Sequence, residues 1–430
     1  MPTVRGWLTA AAGIAVWVLG RVLDATPLEQ IGAALVIAVV AAVVVVRARR
    51  ARIDVARTVS PERAPSGRLV TVELRLVNSG RTPAPLLLLD DRLPVELSGH
   101  ARFALNGVEP GGDRTVTYRI RPALRGRYEV GPLRLSFVDP FGLARSDTSG
   151  TDASAFLVYP RIEQLALPRD LGERRSVSVS ALRQPSGARG EEFYTMREYV
   201  EGDDLRRIHW PSTAKRARPM IRLEETPWHT RATIVLDDRR GAHDGFAESS
   251  SFERSVEACA SLAALYHRSG YSFRVAGAHE AGVPTGKGTA HLHRCLDLLA
   301  TVRAQTAAGG DDPLAVRLAE LHSTTTPEGT LVVVSGGVDA DEAVMLSLCK
   351  RRFRQVVVVL FAAHRYGVGG TRTRWEGERR THEVVRLLAR AGMQALVLGP
   401  EDGFGRAWAS LSNPHAHARE SRWDPKAEPV

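Results

Sequence analysis

A chain of 430 residues, 44% hydrophobic and 25% charged, is too long for one ordinary core and too apolar for general disorder. Its net charge of +10 is almost wholly arginine, since Lys215, Lys287, Lys350 and Lys426 are the only lysines. The arginines are interspersed with Asp and Glu rather than gathered with aromatics, which argues against nucleic acid and leaves anionic lipid headgroups as the acidic partner. Cys259, Cys295 and Cys349 are odd in number and far apart, with no C-x-x-C, so disulfides and structural zinc are disfavoured.

The chain opens on two apolar stretches. Trp7–Leu23 is broken mainly by Gly13, Gly20 and Arg21, and Ile31–Val46 carries no polar side chain. Residues 1–50 are therefore expected to form two transmembrane helices, joined by a tight turn around Asp24, Pro27 and Glu29. Each span is short: about 16 residues rise roughly 24 Å, against a hydrocarbon core of about 30 Å. A cleavable signal peptide is disfavoured, because no A-x-A-like site follows and Arg21 stands where one would lie. Arg5 precedes the first span and Arg47, Arg49, Arg50 and Arg52 follow the second, so the positive-inside rule predicts a multi-pass protein of the cell membrane with its soluble parts cytoplasmic.

Period-two alternation follows. Val70, Val72, Leu74 and Leu76 alternate with polar residues, as do Val116, Tyr118 and Ile120, and then Leu133, Leu135 and Phe137. With turn signals at Asn78-Ser79-Gly80, Asn106-Gly107 and Pro110-Gly111-Gly112, residues 51–160 are expected to be an antiparallel, immunoglobulin-like β-sandwich. Leu86–Leu89 reads as a core strand rather than an exposed partner surface.

The sharpest motif lies in the connecting region, residues 161–227. It runs Gly190-Glu191-Glu192-Phe193, then Arg197-Glu198-Tyr199-Val200-Glu201-Gly202-Asp203-Asp204-Leu205-Arg206-Arg207-Ile208-His209-Trp210, then Ser212-Thr213-Ala214-Lys215. This resembles the signature of the domain-of-unknown-function family number fifty-eight. Arg125-Gly126-Arg127-Tyr128, Gly131-Pro132 and Asp139-Pro140-Phe141-Gly142-Leu143 are also similar to that family, so the resemblance extends over nearly the whole chain. It implies an N-terminal hairpin of membrane helices, a β-rich region, a degenerate von Willebrand A fold, and a MoxR-type AAA+ ATPase as partner.

Read by itself, the signature has two uses. Asp204 with Arg206 or Arg207 could lock it onto the last domain, with Trp210 anchored in a pocket, or the same residues could form a docking surface. The residues expected to carry either role are Glu192, Phe193, Arg197, Tyr199, Gly202, Asp203, Asp204, Arg206, Ile208, His209 and Trp210. Asp203, His209 and Ser212 have the residue types of a hydrolytic triad. They sit within ten positions, and Ser212 lacks a G-x-S-x-G elbow, so a triad is not expected.

From residue 228 to 412 the strands become continuous apolar runs: Thr233–Leu236, Leu331–Val334, Val356–Leu360 and Ala395–Leu398. Phe252, Val256, Cys259, Ala263 and Tyr266 between them fall at helical spacing, as do Val384, Val385, Leu387 and Leu388. Alternating strands and helices predict a doubly wound α/β domain, von Willebrand A-like by the resemblance, with its site beyond the strand ends at Asp237-Asp238 and Ser335-Gly336-Gly337. The metal site of that fold uses D-x-S-x-S. Here the positions read Asp237, Asp238, Arg239, Arg240 and Gly241, so both serines are missing and Arg239 brings its own charge. Asp237 and Ser335 remain the weak metal candidates, and no cofactor is expected.

Three look-alikes fall away. Gly282–Gly288 is one residue short of a Walker A loop and has Gly288 where Ser or Thr is required. His291-x-His293 and His415-x-His417 lack further ligands, and residues 413–430 read as a mobile tail. Taken together, the residues and the resemblance predict a non-catalytic, membrane-anchored scaffold or adaptor partnered by a MoxR-type AAA+ ATPase. The alternative is a divalent-metal-dependent ligand-binding protein or enzyme using the strand-end pocket.

Overall fold

The first apolar stretch becomes helix α1 (Val4–Val22), opened by Thr3, whose side-chain oxygen accepts the Gly6 N–H at 3.1 Å. The second becomes α2 (Thr26–Ala48), with Pro27 in its first turn, where a missing N–H costs nothing. Gly6, Gly13 and Gly20 recur every seven residues and are the buried positions of α1. A Cβ on Gly32 of α2 would stand 2.5 Å from the Trp17 amide nitrogen, so the two helices cross at backbone contact. Among the described residues only one helix, over Thr26–Arg47, is long and apolar enough to cross a membrane. That differs from the two spans expected. Arg5 and Arg21 at its ends, with two tryptophans and its glycines, leave α1 less apolar than its sequence suggests.

This computed structural model describes residues 1–48, 52–84, 86–97, 99–150, 153–168, 194–199, 208–224, 231–279, 282–306, 312–323, 328–368 and 371–412. The chain divides into two units, Met1–Pro160 and Arg161–Val430.

In the first unit, ten strands follow the helices: β1 (Ile53–Ser60), β2 (Arg63–Pro65), β3 (Val70–Asn78), β4 (Leu86–Arg92), β5 (His100–Leu105), β6 (Asp113–Ile120), β7 (Gly126–Val130), β8 (Leu133–Val138), β9 (Arg145–Ser149) and β10 (Ser154–Tyr159). Sheet β1-β3-β6 and sheet β5-β4-β8-β9 are antiparallel and share a core of Leu74, Leu76, Leu87, Leu89, Leu135 and Phe137. Leu87 and Leu89 are thus core, as the pattern predicts. A third sheet, β2-β10-β7, covers Val70, Val72 and Ile120. It departs from an all-antiparallel sandwich, because the three-residue β2 runs parallel to β10.

Within the sandwich lies a buried ion pair. Arg57 Nη2 donates to Asp91 Oδ1 at 2.5 Å, and the Tyr118 hydroxyl donates to Asp91 Oδ2 at 2.6 Å. Burial, with the Asp91 carboxylate adding to it, pushes the Tyr118 phenol far above its usual range.

The second unit contains the hairpin β11 (Tyr194–Glu198) and β12 (Met220–Glu224), with the short helix α3 (Trp210–Arg216) between them. The main sheet adds β13 (Arg231–Leu236), β14 (Ser272–Gly277), β15 (Val283–Gly286), β16 (Glu328–Ser335), β17 (Phe353–Phe361) and β18 (Gln394–Leu398). Its order is β15-β14-β13-β16-β17-β18, parallel except for the edge strand β15. The Walker-like glycine stretch is that edge strand and the turn after it, not a phosphate loop.

Helices α4 (Ser251–Arg268), α5 (Thr289–Thr301), α6 (Pro313–Ser323), α7 (Ala340–Cys349), α8 (Thr371–Arg390) and α9 (Phe404–Ser410) complete the unit. Leu331, Val333, Val356 and Val358 pack with Leu314, Leu318, Leu346 and Leu388 of α6, α7 and α8. Strand alternation turns Val332, Val334, Val357 and Val359 to the other face, and they are also buried. Both faces are therefore covered, which is why these strands read as unbroken apolar runs. The unit starts ahead of its sheet: Glu163 Oε2 accepts the Gly405 N–H at 2.9 Å, and Trp408 Nε1 donates to the Ala166 carbonyl at 3.1 Å.

Candidate functional site

β13 and β16 are the strands at which the order of the sheet reverses, the place where sheets of this kind form a crevice beyond the carboxyl ends of their strands. Asp237 follows β13 and Ser335 ends β16, and the structure brings them together. The Ser335 hydroxyl donates to Asp237 Oδ2 at 2.6 Å and accepts the Gly337 N–H at 3.0 Å. Both residues are fully buried.

The centre of the crevice is a guanidinium. Arg239 donates from Nε to Asp237 Oδ1 and from Nη2 to Oδ2, each at 2.8 Å, a two-pronged pair on one carboxylate. Its Nη1 donates to Asp312 Oδ1 at 2.7 Å and to Glu342 Oε1. Asp312 caps α6, accepting the Ala315 N–H at 3.1 Å. Asp339 and Glu342 form a capping box on α7, the Glu342 N–H donating to Asp339 Oδ1 and the Asp339 N–H to Glu342 Oε2, both at 2.8 Å. Helix starts thus fix two of the acids, and a strand end fixes the third.

Burial and the neighbouring Asp312 push Glu342 up to about 8, against the pull of Arg239. Burial also acts to raise Asp312, but the hydrogen bond from Glu342 and the charge of Arg239 outweigh it and hold that acid below its usual range. Within the Asp312–Glu342 pair it is therefore Glu342 that holds a proton the more readily. Arg239 loses stability as a cation through burial and regains more from Asp237 and Glu342, so its pKa is raised.

This set does not fit a divalent ion. Both oxygens of Asp237 are taken up by Arg239 and Ser335, and Arg239 and Gly241 stand at the two serine positions of D-x-S-x-S. Among the described residues no group of three or more His, Cys, Asp or Glu side chains could hold a metal. His291 and Cys295 are core residues, His291 Nε2 lying 2.7 Å from the Phe273 carbonyl.

Two neighbours shape the crevice. His243 Nε2 donates to the Asp237 carbonyl at 2.7 Å, and burial lowers its pKa. Asp238 holds the start of the loop after β14, accepting the His279 N–H at 3.0 Å. Gly336 lies so close to the Ala242 carbonyl that a Cβ would strike it. Gly336→Ala should therefore destabilise the unit by about 1–3 kcal/mol, read as a lower midpoint in urea; an unchanged midpoint would show that this backbone yields.

The signature residues divide. Arg197 lies in β11 opposite Ile221, and the Tyr199 N–H donates to the Pro219 carbonyl at 2.9 Å. The His209 N–H donates to the Met220 carbonyl at 2.8 Å, so Ile208 and His209 run beside the hairpin. Trp210 is 68% exposed. It does not fill a pocket, because α3 is a single short helix with no buried residue of its own. Glu192, Phe193, Gly202, Asp203, Asp204 and Arg206 lie outside the described residues, as do Arg207 and His415-x-His417. The Ser212 hydroxyl stands 2.9 Å from His209 Nδ1, a pairing the spacing argument does not foresee. The same nitrogen accepts the Ser212 N–H at 3.3 Å, so His209 is the N-cap of α3.

Residues 195–364 match the family model described as a protein of unknown function, DUF58. The match runs from the signature hairpin through the strand-end crevice, and is narrower than the whole-chain resemblance. Uncharacterized protein Rv1480 of Mycobacterium tuberculosis and uncharacterized protein Mb1516 of Mycobacterium bovis are each 29% identical over 151 residues, 34% of this chain and 47% of the relative. The chain thus spans about half the length of the curated relatives it matches. Among solved structures, a CARDB domain from Pyrococcus furiosus aligns at 13% identity with a TM-score of 0.19, covering 25% of this chain and 86% of that one. The Pseudomonas fluorescens alkylpurine DNA glycosylase AlkC aligns at 15% and 0.18, covering 31% and 38%. Superpositions this loose carry no argument.

Asp312 and Glu342 are the site residues that sequence reasoning misses. Glu342 had a local signal, the D-x-x-E box opening an apolar run, but that signal announces a helix start and says nothing of a partner 103 residues away. A second ionic cluster follows β17: Glu378 is held down at about 2, first by the hydrogen bond from His364 and then by Arg365.

Proposed function

We propose that this chain is a membrane-anchored scaffold or adaptor that works by contact, its α1–α2 hairpin crossing the cell membrane and its two soluble units cytoplasmic. On this reading the α/β unit is a von Willebrand A-like fold whose ligand end has been turned inward. The observation that carries it is Arg239: where such a sheet would hold a cation and a ligand, three acids are engaged with a side chain of the protein itself, and Ser335 is bonded to one of those acids. The glycine-lined contact between α1 and α2 supports insertion of both helices as a pair, since small residues let helices meet closely in lipid.

The partner is a MoxR-type AAA+ ATPase, and the face that receives it includes Trp210. An exposed tryptophan within the signature has the residue type that dominates interfaces. The whole chain in detergent should co-purify with a MoxR-type ATPase of the same organism, and Trp210→Ala should weaken capture by about tenfold while leaving the melting temperature unchanged. No association with ATP, with ADP or without nucleotide would overturn the adaptor reading.

The convergence of Asp237, Asp312 and Glu342 on one point favours a second reading, a divalent-metal-dependent binding protein or enzyme in which Arg239 swings out. Calorimetry with magnesium, manganese and calcium separates the two. Binding by the native protein that Asp237→Ala abolishes would establish the second.

A further inference from the structure

We propose that the turn Asp139–Leu143 lies in the headgroup layer of the membrane, with Phe141 inserted as a lipid contact of the sandwich. The proposal rests on the reading of α1 and α2 as a membrane hairpin and concerns what happens where that hairpin meets the first soluble unit.

The turn is bonded to the start of the hairpin. The Thr3 N–H donates to the Leu143 carbonyl at 2.9 Å, and the Thr3 hydroxyl donates to the Gly142 carbonyl at 2.6 Å. Gly6, one turn into α1, backs directly onto the Leu143 carbonyl. The other helix meets the sandwich at the same end, since Ala42 and Val46 near the close of α2 belong to its core beside Ala144. Wherever the hairpin leaves the hydrocarbon, this turn is within reach of the surface.

The turn is built to hold its shape. The buried Asp139 accepts the Phe141 N–H at 2.9 Å and the Ala144 N–H at 2.5 Å. Two carboxylate bonds and a backbone bond from the Gly142 N–H to the Asp139 carbonyl hold the backbone around Phe141, yet that residue is 80% exposed. A rigid turn that presents a phenylalanine outward is the geometry of an interfacial anchor. Trp7 in the second turn of α1, 65% exposed, stands at the same end and is of the type enriched at the membrane–water boundary. Arg5, Arg47 and Arg52 are exposed there as well, placed for anionic headgroups.

Length supplies the driving force. With the last turns of α2 committed to the sandwich core from Ala42 onward, about 16 residues remain for the bilayer, roughly 24 Å against a core of about 30 Å. A span that short is accommodated by thinning the bilayer or by drawing its flanks into the interface. The flank in question is this end of the sandwich.

The register of the sheet provides an internal control. Leu86 pairs with Val138 beside the turn, and Asp91 pairs with Leu133 at the opposite end of the same two strands. Val95 follows β4 at that far end and is 88% exposed. Both positions expose apolar side chains, and only one is near the hairpin.

The test uses the full chain in nanodiscs of phosphatidylcholine and phosphatidylglycerol. Single cysteines replace Phe141, Val95 or Val40, the last exposed in the middle of α2, and carry an environment-sensitive fluorophore. The native cysteines Cys259, Cys295 and Cys349 are buried, and unsubstituted protein supplies the labelling background. Lipids spin-labelled near the headgroup should quench the Phe141→Cys probe at least twofold more than the Val95→Cys probe, and deep spin labels should quench Val40→Cys. Quenching at position 40 with none at 141 beyond that at 95 would overturn the lipid contact and leave the anchor standing. A copy-to-copy or protein contact at Phe141 would give that same result. No quenching at position 40 would remove the anchor and this contact together.

Discussion

Asp91→Ala should come close to unfolding the first unit, costing about 3–5 kcal/mol of the roughly 5–15 kcal/mol that holds a typical domain. The Arg57 and Asp91 side chains are 1% and 0% exposed, so deleting the acid takes a carboxylate away from a buried guanidinium. It also strips the Tyr118 hydroxyl of its acceptor. Asp91→Asn should cost less, because its amide oxygen still accepts from one of the two donors, although the NH2 group in place of the second oxygen cannot accept from the other. The paired change Arg57→Met with Asp91→Leu should recover most of the loss, since a buried ion pair is exchanged for apolar packing at little net penalty. Chemical denaturation of the full chain in detergent, followed through the β-rich signal, measures all three against the native protein. A midpoint for Asp91→Ala within about 0.5 kcal/mol of the native protein, the spread of ordinary surface changes, would show that water reaches this pair.

The second large effect is at the strand end. Arg239→Ala removes the group that joins Asp237, Asp312 and Glu342 and leaves the fully buried Asp237 carboxylate without that counter-charge, so a loss of about 3–5 kcal/mol is expected. The native protein already carries a pH signature. Glu342 binds its proton more tightly folded, at about 8, than unfolded, near 4.5. Its contribution is therefore complete below pH 4.5 and is lost as pH rises through 8. Asp312, shifted downward, contributes above its unfolded value and loses that contribution only in stronger acid. Between pH 4.5 and 8 the melting temperature of the second unit should thus carry a falling component that Glu342→Gln removes. In Arg239→Ala the fall should steepen, because the acids no longer have a cation to favour their charged forms. A pH profile identical in the native protein and Glu342→Gln would show that this acid ionises normally.

Much of the architecture could be read from periodicity. Val70–Leu76 alternates because β3 has one face in the core, and Leu331–Val334 does not alternate because β16 is covered on both. Ser272–Gly277 escapes notice for the opposite reason: β14 breaks its apolar positions with Ser272 and Arg274, too short a pattern to separate from a loop. The strand-end rule finds Asp237 and Ser335, since it asks only where β13 and β16 stop, and Arg239 stands out only as a departure from D-x-S-x-S. It cannot find Asp312 or Glu342, which arrive from helix starts 73 and 103 residues beyond Arg239.

The buried pair in the sandwich was legible and is easily passed over. Arg57 falls in phase with the inward-facing Val55 and Val59, and Asp91 in phase with Leu87 and Leu89. Two opposite charges on the apolar phase of different strands announce a contact, although neither strand tells which partner it will meet. Membrane spans are the converse case. Their apolarity is plain in the sequence, but Arg5 and Arg21 separate α1 from α2 by a margin that only a full count of its residues exposes.

The Arg239 arrangement has a consequence for how the second unit comes into being. A domain that closes around a dissolved ion must wait for that ion, and its stability follows the ion's supply. Here the counter-ion is part of the polymer, two residues from the acid it neutralises, and its local abundance is the same in a nascent chain, a dilute extract or a chelating buffer. Maturation of this unit should be indifferent to the magnesium status of the cell.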